Sequence, residues 1–274
     1  MRALLAPEAT AAEEIAMPIA LNHVDTGGAG IPLVVVHGLF GSADNWRSHV
    51  KAWQEGRRVI TVDLRNHGRS PHAVGMGYDA MAADLIALLD RLGIARAHLL
   101  GHSMGGKVAI SLARLAPERV ASLIVADIAP RAYGHDHDAV FAALRRVSEG
   151  RPANRREADE LLAEHVEERG VRLFLATNLE RAEEGGLQLR LGLDEIQEDY
   201  EAIMGAPAGE GAYTGPTLVL RGANSPYVTD AMLPELREVL PEARVVTLDA
   251  GHWLHAEQPE AFRQAVDDFL AVPA

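Results

Sequence analysis

The chain has 274 residues, a length that suits one large domain or a domain with an insertion and is ample for a sizeable core. Hydrophobic residues make up 48% and charged residues 24%, as in ordinary globular proteins, and the net charge of −13 argues against nucleic acid and anionic membranes as partners. There is no cysteine, which excludes disulfides, thiolate–metal sites and cysteine nucleophiles and makes a reducing cytoplasm the simplest location.

Residues 1–18 are low in complexity, and a loosely ordered extension is expected there. Its apolar run ALLA is too short for a signal peptide, and no stretch approaches the ~20 apolar residues of a membrane helix. From residue 19 onward apolar runs alternate with amphipathic stretches. LVVV (33–36) and VITVDL (59–64) read as buried strands. In 79–92, Met81, Leu85, Leu88, Leu89 and Leu92 share one helical face. HLLG (98–101) predicts a strand, KVAISLARLA (107–116) a helix and SLIVAD (122–127) a further strand. Between Pro130 and Thr214 no strand is predicted, and the composition turns to Ala, Arg and Glu. Residues 131–213 therefore read as a helical insertion, and as a lid, because they leave the sheet at a strand's carboxyl end. TLVLRG (217–222) and RVVTLD (244–249) resume the strands, and PEAFRQAVDDFL (259–270) closes with a helix carrying Pro at its start. This order predicts an α/β fold over 19–130 and 214–274, with a mostly parallel sheet and helices on both faces. Ligands then sit at the carboxyl ends of the strands.

GHSMGGK (101–107) is ambiguous by itself. Gly101, Gly106 and Lys107 match the spacing of a phosphate-binding loop, with SLIVAD as the strand that would place a magnesium-binding Asp. Val108 stands where that loop needs Ser or Thr, and Ser103 is left without a task. In the other reading, G-x-S-x-G lies between a strand and a helix, as a nucleophile elbow requires. Gly101 and Gly105 then make room for a tight turn that lifts the serine oxygen clear of the sheet. A serine hydroxyl needs a base. Among the twelve histidines, His252 in DAGHWLHAEQP follows the last strand and a glycine, and His255 is its nearest rival. HDHD (135–138) reads as an exposed polar loop in preference to a metal site. VVVHGLFGS (34–42) ends a strand in a glycine-rich turn. Acyl transfer creates an oxyanion that needs preorganised donors, and the backbone N–H groups of Leu39 and Met104 are the expected pair. His37 is expected to brace that turn.

Together HGLFGSADNW, DLRNHGRSP, GHSMGGK, VADIAP, GANSPYV and GHWLHAEQP resemble the α/β-hydrolase superfamily, and within it the YbfF-type bacterial serine esterases and their eukaryotic acyl-hydrolase relatives. The resemblance spans residues 19–274. Many α/β-hydrolases carry the triad acid after the strand that follows the lid, in a G-x-x-D pattern. Here the third position after Gly222 is Ser225, and no carboxylate appears before Asp230, which is better placed to cap the helix beginning AMLPELREVL. The other available position ends the strand after the nucleophile. Asp127 stands there, and adjacent strand ends lie about 5 Å apart. The resemblance puts the acid at that same position.

The expected chemistry is carboxyl-ester hydrolysis through an acyl-enzyme, with Ser103 as nucleophile, His252 as base and Asp127 as its orienting acid. No cofactor or metal is implied, and the partner is a small-molecule ester. The resemblance leans towards short acyl esters, with acyl-CoA thioesters second. Phe40, Phe174, Tyr227 and Trp253 are candidates for the acyl pocket. Two readings from other classes remain: a nucleotide hydrolase using the phosphate loop, and a ligand receptor that keeps the triad and signals through its lid.

Overall fold

A computed structural model describes residues 17–271; most of the segment expected to be a loose extension lies outside them. In chain order the first half holds β1 (His23–Asp25), β2 (Leu33–Val36), α1 (Arg47–Trp53), β3 (Val59–Val62), α2 (Tyr78–Arg91), β4 (Ala97–His102), α3 (Met104–Leu115) and β5 (Val120–Ala126). Residues 131–213 carry α4 (Asp138–Gly150), α5 (Arg155–Ala163), α6 (Arg169–Leu175), β6 (Leu179–Arg181), β7 (Leu187–Leu189), α7 (Leu193–Glu198) and α8 (Tyr200–Met204). The chain then returns with β8 (Thr217–Gly222), α9 (Leu233–Val239), β9 (Ala243–Leu248), α10 (Leu254–Glu257) and α11 (Pro259–Leu270).

Seven strands form one sheet in the order β1-β3-β2-β4-β5-β8-β9, parallel except for β1, which runs antiparallel to β3 at the edge. The inner strands are largely apolar because both faces are covered. Val34, Val36, Leu99, Leu123 and Val125 point to one face, under α2 and α3. Leu33, Val35, Leu100, Ile124 and Ala126 point to the other, against Trp46, Phe262 and Val266 of the α1 and α11 side. The strands β2, β4, β5, β8 and β9 therefore all deliver their carboxyl ends to one edge.

Three expectations need correction. β1 was not anticipated, because a three-residue edge strand carries too short a pattern to read. Residues 131–213 are not strand-free. β6 and β7 pair as a hairpin around Gly185 and Gly186, whose positive φ values of 95° and 78° suit a turn that other residues adopt only with strain. Asp230 does not cap a helix: Thr229 holds that position before a short 3₁₀ turn, and Asp230 pairs with Arg221 at 2.7 Å.

Candidate active site

Ser103 lies between β4 and α3 with φ 53° and ψ −122°, a strained conformation for a residue with a side chain. Packing imposes it. A Cβ on Gly101 would run into the Gly105 carbonyl, and one on Gly105 would strike the carbonyl oxygens of Val36 and His37. Only glycines let α3 start this close to β2 and β4. The Ser103 N–H donates to the Ala126 carbonyl at 3.0 Å, which ties the turn to β5.

His252, on the loop after β9, brings Nε2 to 3.0 Å from Ser103 Oγ and Nδ1 to 2.8 Å from Asp127 Oδ2. Asp127 is fully buried at the end of β5. Its Oδ1 accepts the Gly222 N–H at 2.9 Å, and its Oδ2 also accepts the Ser225 hydroxyl. Its own N–H donates to Leu220 at 2.8 Å. The carboxylate is thus held by three groups from two chain segments, the β8 end with its following loop and the loop of His252, and one oxygen is aimed at the imidazole. Asp230 is exposed and turned to Arg221, away from this row. His255 is buried, stacks on Trp46 at 4.6 Å and makes no bond to Ser103. His102 Nε2–H donates to the His252 carbonyl at 2.8 Å, and burial pushes this imidazole far below its usual range, so it stays neutral.

Among the described residues, neither the Leu39 nor the Met104 N–H has a hydrogen-bond partner. The turn bearing Leu39 is braced by two neutral histidines. His37 Nε2 accepts the Leu64 N–H at 3.0 Å, which leaves its Nδ1–H to donate to Gly38. His67 Nε2 accepts the Phe40 N–H at 3.1 Å, and its Nδ1–H donates to Arg65. Burial lowers both, His67 to about 3.

Ser103 opens into a cavity of about 990 Å³ whose wall includes Leu39, Phe40, Phe174, Tyr227 and Trp253. Among the described residues its charged lining consists of Asp136, Glu167, Glu168 and Glu257, with no lysine or arginine. Within HDHD, His137 Nδ1 lies 2.6 Å from the Tyr200 hydroxyl and 3.0 Å from Asp136 Oδ1, and Asp138 begins α4. Lys107 does not face the cavity. Its Nζ donates to the carbonyls of Gly205 at 2.6 Å and Met204 at 3.3 Å, and burial lowers the ammonium to about 7. A phosphate at the loop would find no lysine there.

Sequence reasoning placed Ser103, His252 and Asp127 at strand ends, and the fold brings those ends together. It noted Ser225 only as a missing carboxylate. It assigned nothing to His102, and it gave Tyr227 only to the acyl pocket, whose wall it does join, without its ring contact 4.1 Å from that of His252. The only signal for His102 was its place inside the elbow motif.

A profile of the alpha/beta hydrolase fold family matches residues 31–259. The chain is 44% identical to the mouse sn-1-specific diacylglycerol lipase ABHD11, over 93% of this chain and 86% of that one. It is 39% identical to the Escherichia coli esterase YbfF, over 87% and 92%. Among solved structures, a marine microorganism esterase superposes with a TM-score of 0.88 at 37% identity, covering 92% of this chain and 99% of that one. With the elbow, the parallel sheet and the family match in agreement, the chain belongs to the alpha/beta hydrolase fold family.

Proposed function

We propose that this chain is a serine hydrolase that cleaves carboxylic esters, short acyl esters in particular, through an acyl-enzyme. The hydrogen-bonded row Ser103–His252–Asp127, at the floor of a largely apolar cavity, carries this reading. Ser103 Oγ attacks the acyl carbon as His252 Nε2 takes its proton. The carbonyl electron pair moves onto oxygen, where the N–H groups of Leu39 and Met104 receive it. Collapse of this intermediate breaks the bond to the alcohol, and His252 returns the proton to that leaving oxygen. Water, deprotonated by the same imidazole, then attacks the acyl-enzyme and releases the acid and Ser103. Asp127 holds the Nδ1–H tautomer and stabilises the imidazolium.

Residues 131–213 act in this reading as the lid, since His137, Val140, Val171 and Phe174 of that segment line the cavity. The names of the mouse lipase and the E. coli esterase support ester bonds as the target. The same row can cleave acyl-CoA thioesters, but four carboxylates and no cation make a poor wall for the CoA phosphates. No described helix is long and apolar enough to cross a membrane. The absence of cysteine suits a reducing compartment, so we infer a cytoplasmic site of action.

The test is hydrolysis of p-nitrophenyl butyrate by the parent and by Ser103→Ala, with circular dichroism as the folding control. Loss of turnover in a folded variant supports the reading, and retained turnover overturns it. A receptor in place of an enzyme would show a single slow turnover followed by tight product retention.

A further inference from the structure

Lys107 is 2% exposed and, among the described residues, has no carboxylate partner. A lysine is rarely buried without one, because taking an ammonium out of water costs several kcal/mol. A residue that merely filled this space on α3 would be apolar. The ammonium instead gathers three pieces of chain. It donates to the carbonyls of Met204 and Gly205 at the end of α8. It also lies 4.8 Å over the ring of Tyr133, a distance at which the ring face attracts a cation. The Tyr133 N–H returns to Met204 at 2.9 Å, which closes the knot.

Tyr133 then reaches the catalytic row. Its hydroxyl donates to the Tyr227 carbonyl at 2.6 Å and accepts the Ala129 N–H at 2.8 Å. Tyr227 packs against His252 with ring centroids 4.1 Å apart. The Tyr227 N–H donates to Ser225 Oγ at 3.2 Å, and Ser225 donates to Asp127. One segment thus touches both the base and the support of the acid, and Tyr133 fixes that segment's height.

We propose that Lys107 is a positioning residue for His252 and Asp127, acting through Tyr133 and Tyr227. The proposal rests on the hydrolase reading above. It explains why the motif that carries the nucleophile ends in a charge that never meets substrate. It also ties the end of residues 131–213 to the reacting groups, because Gly205 and Met204 share the same ammonium.

The experiment uses the full chain with Lys107→Met, Tyr133→Phe and the double variant. Two rates are read: p-nitrophenyl butyrate hydrolysis, and covalent capture of Ser103 by a small fluorophosphonate, which needs no knowledge of the natural ester. In that capture the serine oxygen bonds to phosphorus, fluoride leaves, and His252 takes the serine proton. Each single variant is expected to lower kcat and the capture rate about tenfold with KM within about twofold, since misplacement of a catalytic group acts on the transition state. The double variant should lose little more than the larger single loss, because both act through one path. Unchanged capture in folded variants, a rise in KM alone, or fully multiplicative losses would overturn the proposal. Tyr133→Phe removes one oxygen and keeps the test open if Lys107→Met does not fold. A parent that fails to capture the probe refutes the hydrolase reading itself, whereas a parent and variants that all capture it equally fast refute only the role of Lys107.

Discussion

The Ser225 hydroxyl donates to Asp127 Oδ2, the same oxygen that receives the His252 Nδ1–H. Ser225 stands on the loop after β8, where the G-x-x-D pattern of many α/β-hydrolases would place an acid. In the proposed triad the acid, Asp127, stands one strand over, and Ser225 supports it. The two sites are compatible because β5 and β8 are paired neighbours, with Ala126 opposite Leu220.

This relationship separates three carboxyl-side variants. Asp127→Asn is expected to lower kcat about 10⁴-fold, since the amide cannot hold the productive tautomer. Ser225→Ala removes one of three donors to Asp127 and is expected to cost about tenfold, the lower end of the scale of one hydrogen bond to a charge, since two donors remain. Asp230→Asn should be silent in kcat, because Asp230 is exposed and engages only Arg221. Steady-state rates on one ester decide the order, and a large loss at Asp230 would relocate the acid.

Two glycines test different things. A Cβ on Gly38 would lie 3.1 Å from His102 Nδ1 and 3.2 Å from Ser103 Cβ, a crowding that neighbours relieve only by moving the nucleophile. Gly38→Ala is expected to fold and to lose activity by about 10- to 100-fold, as small misplacements of reacting groups do. Gly105→Ala meets backbone carbonyls that cannot step aside, so a stability loss of about 3 kcal/mol or more is expected. Urea unfolding of both, beside their kinetics, checks the contrast.

The acidic wall predicts a charge preference. The ratio of kcat/KM for butyryl-CoA to that for p-nitrophenyl butyrate should rise with salt, because screening weakens the repulsion between phosphates and wall. Replacing Asp136, Glu167 and Glu168 by their amides should raise the ratio severalfold at low salt. A ratio insensitive to both changes would remove the argument for neutral esters.

Buried histidines predict acid lability. Burial lowers His67 and His255 to about 3 and His49 to about 4 in the folded chain. Unfolded imidazoles bind a proton below about 6.5, so the unfolded state holds more protons between that pH and the folded values. Stability therefore falls as pH drops through this window, by roughly 1.4 kcal/mol per pH unit for each such histidine. Urea midpoints between pH 7 and pH 5 should show the slope. His255→Phe, which keeps the stack on Trp46 and loses the titrating ring, should flatten it.

Much of this protein was legible as a string because its signals are local. Apolar runs bounded by Gly, Asp and His announced the inner strands. G-x-S-x-G between a strand and a helix announced the elbow, since a serine at φ 53° tolerates no side chains at Gly101 and Gly105. His252 and Asp127 could be nominated because strand ends converge in a parallel sheet. The tertiary structure alone decided what depends on contacts between distant segments. It turned Asp230 to Arg221 and Ser225 to Asp127, and it left His255 stacked on Trp46 while His252 met Ser103. It also buried Lys107 beneath the end of α8, 98 residues along the chain at Gly205. Hydrogen bonds and ring contacts act over a few ångströms in space, and no periodicity along the chain records which partners will meet.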